Sequence, residues 1–204
     1  MSFYRFARGL VSGVLHQMFR IRIEGLENIP KDQTFVVCAN HKSYLDPPFV
    51  GLSLPIKVRF MAKEELFRNK LFGSILRAVG AFPIRRGKSD VGALRAAVKM
   101  LQNGECVAIF PEGARGKHKD HLKKGKQGAA LIAVKAGVNI LPVGIEGEYK
   151  LFSKMTLRVG KMISLEEYAG QKADSEILQQ ITDGVLMPAI AELAGVKTYE
   201  DRDR

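Results

Sequence analysis

A histidine with one imidazole nitrogen held by a carboxylate presents the other nitrogen as a base. His41 and Asp46, separated only by Lys42-Ser43-Tyr44-Leu45, have the composition of such a pair. On one continuous helix the two side chains would point about 140° apart, at about 100° per residue. A turn between a strand and a helix folds them together instead. Taken alone, the same residues also read as a loop histidine and a helix-capping aspartate. Cys38 lies close enough in sequence to suggest a thiol nucleophile, but its place inside an apolar run argues against an activated thiolate.

The elements that must position this pair are legible around it. Phe35-Val36-Val37-Cys38-Ala39 is an unbroken apolar run bounded by Asp32-Gln33-Thr34 and Asn40-His41. It predicts a strand buried on both faces. Asp46-Pro47 predicts a helix start, with Asp as the cap and Pro at the first helical position. His41 is thereby expected at the carboxyl end of a buried strand, where open α/β sheets place their ligands.

Three further stretches follow in order: Gly80-Ala81-Phe82-Pro83-Ile84-Arg85-Arg86, Phe110-Pro111-Glu112-Gly113-Ala114-Arg115 and Ile140-Leu141-Pro142-Val143. Together with Asn40-His41 and Asp46, this ordered set resembles the motifs of the glycerolipid acyltransferases, most nearly the bacterial branch, over roughly residues 20 to 160. The resemblance implies transfer of an acyl group from an acyl thioester to the sn-2 hydroxyl of lysophosphatidic acid, giving phosphatidic acid. His41 is then the general base and Asp46 its orienter, with no covalent intermediate. The donor is an acyl carrier protein or coenzyme A thioester, and no metal or other cofactor is implied. Arg85 and Arg115 become candidate phosphate ligands, with Lys63 a third. Glu112 is a candidate for the acceptor hydroxyl or for positioning Arg115, and Gly113 allows a close backbone approach. Asn40 and backbone N–H groups near His41 are candidate oxyanion donors. The chain departs from the family pattern at Ala114 and Gly116, where Thr and Ser are usual. That leaves another lyso-lipid or alcohol acceptor as an alternative.

Composition bounds the partners. The chain has 204 residues, with 32 basic against 21 acidic side chains and a formal charge of +11. Such an excess favours an anionic partner, whether nucleic acid, anionic lipid or a phosphorylated substrate. A non-catalytic anionic-lipid module explains the charge but gives no reason for His41 and Asp46. The resemblance implies a membrane surface and no nucleic acid. Gly51-Leu52-Ser53-Leu54-Pro55 lacks the final glycine of a hydrolase elbow. Gly87-Lys88-Ser89 lacks the first glycine of a phosphate loop, since Phe82 occupies it.

Taken in order, residues 3–19 carry apolar side chains at helical spacing with Arg5, Arg8 and Arg20 among the polar positions. They predict an amphipathic helix, lying in a membrane interface (the reading the resemblance favours) or packed on the domain. Ile21 to Glu24 reads as an edge strand, Ile56 to Ala62 as a second strand, and Glu64 to Val79 as helical pieces. Ala81 to Ile84 is a short strand whose Pro83 implies an edge or a bulge. Ser89 to Asn103 reads as a helix stopped by Gly104, Cys106 to Phe110 as a buried strand, and Arg115 to Lys126 as a strongly basic loop. A helix over Gln127 to Lys135, a strand over Ile140 to Ile145, a strand or two in Thr156 to Ile163 and a closing helix over Ile177 to Leu193 interrupted by Pro188 complete the chain. The expected fold is a single α/β layered domain with a largely parallel central sheet flanked by helices. An N-terminal amphipathic membrane-interface helix occupies residues 1–20 and the acyltransferase domain residues 21–204. With no signal peptide and no apolar run of about 18 residues, the expected location is peripheral, on the cytoplasmic face of the cell membrane.

Overall fold

A computed structural model describes residues 3–78, 80–84, 91–116, 118, 120–168, 171 and 173–202. Phe35–Ala39 is buried along its whole length and forms β2. Its side chains divide with the two-residue period of a strand. Val36 and Cys38 enter one core cluster, while Phe35, Val37 and Ala39 enter the other. A strand feeding two cores must have a helical layer on each side, which is why the run is apolar throughout.

Around it lie β1 (Arg20–Glu24), β3 (Val58–Lys63), β4 (Ala81–Ile84), β5 (Cys106–Ile109), β6 (Asn139–Gly147) and β7 (Lys154–Val159). They form one seven-stranded sheet in the order β1-β7-β6-β2-β5-β3-β4. Every neighbouring pair is parallel except the β6–β7 hairpin. Pro83 stands on the edge strand β4 opposite Ala62, where a missing N–H need not interrupt a ladder on the outer side.

The helices are α1 (Phe3–Met18), α2 (Asp46–Ser53), α3 (Lys70–Ala78), α4 (Val91–Gln102), α5 (Gly128–Ala136), α6 (Ser175–Gln179) and α7 (Met187–Ala194). On one face, α4, α5 and α7 contribute Leu101, Ala133 and Ile190 to the first core. On the other, Phe49 of α2, Leu15 of α1 and Phe19 just after α1 enter the second. So α1 packs on the domain at its C-terminal end, while Val11 and Val14 remain 36% and 47% exposed. Among the described residues no helix is long and apolar enough to cross a membrane.

The closing helix departs from a single regular rod. Asp174 caps α6 by accepting from the Ile177 N–H at 3.0 Å, and Gln180–Leu186 then widens into a π-helix before α7. Pro188 has no N–H for the carbonyl four residues back and its ring crowds that carbonyl. A wider turn before it accommodates both defects. Of the strand or two expected in Thr156 to Ile163, β7 runs to Val159 and Ile163 returns as a single bridge opposite Ile140.

Candidate active site

Four parallel strands, β2, β5, β3 and β4, end at one edge of the sheet. His41 follows β2, Glu112, Gly113 and Arg115 follow β5, and Lys63 ends β3. Arg85, immediately after β4, lies outside the described residues. Lys63 is exposed and two strands from β2, about 10 Å at the usual spacing of about 4.8 Å per strand.

The turn after β2 brings His41 Nδ1 to 2.8 Å from Asp46 Oδ2. The same oxygen accepts from the backbone N–H groups of Lys42 and Ser43, each at 2.7 Å. Successive amides curled around one oxygen make a small anion-binding concavity. Here it grips a side chain of the same loop. The expected helix cap is therefore corrected. Leu45 takes the N-cap place and Asp46 is the first helical residue, with its carboxylate turned back towards residues 41–43 instead of forward into the helix.

Asp46 is fully buried. An ionised carboxylate accepts from the Nδ1–H of His41, which leaves Nε2 with the basic lone pair. Among the described residues Nε2 has no hydrogen-bond partner. The imidazole stacks on Phe110 at a centroid separation of 4.3 Å and an interplanar angle of 22°. Phe110 ends the strand run beside β2, so the ring is fixed by the sheet on one side and the carboxylate on the other.

The remaining oxygen of Asp46 is held by a residue that sequence reasoning missed. Tyr149, in the turn between β6 and β7, donates its hydroxyl to Asp46 Oδ1 at 2.8 Å. Its ring packs edge-on against Phe19 at 5.5 Å and Phe49 at 6.2 Å. Burial, reinforced by the Asp46 charge, pushes the phenol well above its ordinary range, so it stays a donor. No sequence signal joins Tyr149 to Asp46 across more than a hundred residues. Tyr149→Phe keeps the ring and leaves Oδ1 unpaired. It is expected to lower kcat on the order of tenfold, with KM for either substrate unchanged; steady-state kinetics with both substrates varied would check this.

Glu112 is buried beneath the dyad. Oε1 accepts from the His41 N–H at 2.7 Å and Oε2 from the Lys123 N–H at 3.0 Å. Burial pushes its carboxyl above the ordinary range, with those two amides pulling it back. Both oxygens are engaged, so Glu112 ties the end of β2 to the basic loop instead of facing an acceptor hydroxyl. The Gly116 N–H bonds the His41 carbonyl at 2.7 Å. A Cβ at Gly116 would stand 3.1 Å from Glu112 Oε2, which gives the glycine at this departure a packing reason.

Asn40 is likewise spent. Its amide donates to the Ile145 carbonyl at 3.0 Å and its oxygen accepts from the Ile145 N–H at 2.7 Å. This side chain extends the β2–β6 ladder by one rung. The oxyanion role expected of it would require breaking that pair, and the His41 N–H is committed to Glu112.

Two cations stand over the loop. The Arg115 guanidinium carbon lies 3.5 Å from the centroid of Tyr44, which belongs to the His41–Asp46 turn and is 75% exposed. Gly113 adopts a left-handed φ of +68°, and a Cβ there would meet Lys126 Cε at 2.8 Å. Lys126 thus crosses the Gly113 backbone, a cation that no sequence motif singled out. Lys42 points elsewhere, donating to the carbonyls of Ile145 and Gly147 at 2.9 and 2.6 Å. Cys38 and Cys106 are free and buried, and burial drives the Cys38 thiol far up. That excludes an activated thiolate. Among the described residues no cluster of metal-ligating side chains occurs.

The arrangement is a buried, oriented imidazole whose Nε2 has no hydrogen-bond partner among the described residues, at the carboxyl edge of a parallel sheet and flanked by exposed cations. It suits proton abstraction from a hydroxyl on an anionic molecule. Comparisons with known proteins give the family. A family model described as Acyltransferase matches residues 20–146. A protein of Bacillus subtilis named 1-acyl-sn-glycerol-3-phosphate acyltransferase is 31% identical over 172 residues, covering 81% of this chain and 85% of its own length. A Streptococcus pneumoniae protein of the same name is 35% identical over 153 residues, covering 73% of this chain but 56% of its own. The crystal structure of the 1-acyl-sn-glycerophosphate acyltransferase PlsC from Thermotoga maritima superposes with a TM-score of 0.68 at 28% identity, covering 95% of this chain and 83% of that one.

Proposed function

Since the chain belongs to the acyltransferase family, we propose that it moves an acyl group from a thioester to the sn-2 hydroxyl of 1-acylglycerol 3-phosphate, forming phosphatidic acid. The observation that carries this reading is the 2.8 Å bond between His41 Nδ1 and a fully buried Asp46. It prepares Nε2 for a hydroxyl proton. The acceptor hydroxyl gives its proton to Nε2 as its oxygen attacks the thioester carbonyl. The tetrahedral intermediate expels the thiolate, which recovers the proton from the imidazolium. No enzyme nucleophile is needed, because the acceptor oxygen attacks directly.

The acceptor phosphate falls to Arg115 and Arg85, with Lys63 and Lys126 as further cations at the same edge. Arginine offers a planar fork that matches phosphate oxygens. Arg115 is exposed and stacked on Tyr44, which pre-orients its donors, and none of them is bonded among the described residues. Arg115→Ala is expected to raise KM for the acceptor by about tenfold. KM for the donor should stay within about twofold; equal rises for both substrates would sink the phosphate assignment.

The donor is an acyl carrier protein or coenzyme A thioester. The protein works at the cytoplasmic face of the cell membrane, held peripherally through the exposed face of α1. The reading is tested by acyl transfer from labelled acyl thioester to lysophosphatidic acid in detergent micelles. Formation of labelled phosphatidic acid supports it. Silence with this acceptor and turnover with another lyso-lipid would move the acceptor assignment alone.

A further inference from the structure

The turn that carries Tyr149 inward also carries two side chains outward. Leu151 and Phe152 are 62% and 64% exposed, adjacent and both large and apolar. Phe152 has a φ of +62°, the only left-handed non-glycine backbone among the described residues. That conformation suits glycine and costs a bulky aromatic residue on the order of 1 kcal/mol or more. A left-handed, largely exposed phenylalanine therefore costs stability at this position.

The tip is clamped to the end of α1. The Phe152 N–H donates to the Met18 carbonyl at 2.6 Å, and the Arg20 N–H to the Ser153 carbonyl at 2.8 Å. On α1, Val11, Val14 and Met18 stand at i, i+3 and i+7, one stripe of a helix, so the exposed valines lead down to the tip. Beside it, Arg20 and Lys154 are register partners on the parallel strands β1 and β7. Both are exposed, and among the described residues neither has an ion-pair partner. Two like charges side by side oppose strand pairing but match an anionic surface.

From these juxtapositions we infer that the β6–β7 turn is a second membrane contact, inserting Leu151 and Phe152 into an anionic lipid surface while Arg20 and Lys154 meet its headgroups. The inference rests on the membrane reading given under the proposed function and adds a site to it. Apolar insertion supplies area and the basic pair supplies attraction to anionic lipid. The turn also carries Tyr149, so the docked element is the one that holds Asp46.

The test is co-sedimentation of the full chain with vesicles of phosphatidylcholine, with and without phosphatidylglycerol. Wild type is compared with Leu151→Ser/Phe152→Gly and with Val11→Asp/Val14→Asp. The tip variant is expected to bind the anionic vesicles about tenfold more weakly, with Tm unchanged or higher because glycine relieves the strain. Its kcat/KM on a water-soluble short-chain acceptor should be unaltered. Tip-variant binding equal to wild type, with the α1 variant impaired, overturns the inference and leaves the membrane reading intact. A wild type that binds no vesicle overturns both. Unchanged vesicle binding with a raised KM for a protein-borne donor would assign the tip to that carrier instead.

Discussion

Replacement of His41 by alanine is expected to lower kcat by about a hundredfold or more, the usual contribution of a positioned general base. KM for the acyl thioester should change little. The loss reads as chemistry because the fold keeps its anchors. The 2.7 Å bond from position 41 to Glu112 is made by the backbone N–H and survives the substitution. So does the bond from the Gly116 N–H to the carbonyl at position 41. Asp46 loses one donor and retains Lys42 N–H, Ser43 N–H and the Tyr149 hydroxyl. Steady-state rates beside a thermal melt would check both halves. A variant of native Tm with wild-type kcat would discard the general-base mechanism.

How much of this was readable beforehand follows from the range of each interaction. β2 was legible because a strand feeding two cores must be apolar at every position, and Phe35–Ala39 is. The approach of His41 to Asp46 was legible because a short turn encloses both. Parallel strands put the second and third motifs on the same edge, since those motifs close β4 and β5, whereas residues 140–143 lie inside β6. What remained hidden depends on contacts distant in sequence. Asn40 could not be recognised as a ladder extension without knowing that Ile145 lies beside it. Glu112, read as an acceptor ligand or a partner for Arg115, holds backbone amides from two separate loops. The capping reading of Asp46 failed for a related reason, because four donors behind it outcompete the amides ahead. Pro188 announced an interruption, but nothing in the local pattern distinguished a π-helical turn over Gln180–Leu186 from a kink or a break.

Asp46 separates stability from catalysis more sharply than any other position. Asp46→Ala would strand the His41, Lys42, Ser43 and Tyr149 donors at a fully buried site. Each unpaired donor costs about 1–3 kcal/mol, so the sum is comparable with the whole stability of a typical domain, about 5–15 kcal/mol. That variant is expected to fold poorly. Asp46→Asn is different. Its oxygen can take the place of Oδ2 and accept the same three donors. Its amide then faces Tyr149, whose hydroxyl can rotate and accept instead of donate. The tautomer of His41 is preserved and only the negative charge that stabilises the imidazolium disappears. The expected result is a folded protein, a few degrees lower in Tm, whose kcat falls about a hundredfold or more with both KM values nearly unchanged. The Lys42 and Ser43 N–H groups hold the amide oxygen towards residues 41–43 in either background, since a flipped amide would set N–H against N–H. Tyr149 bears on catalysis through the group at position 46, so adding Tyr149→Phe to Asp46→Asn should lose less activity than the product of the two single losses. Strict multiplicativity would show that Tyr149 does not act through the residue at position 46.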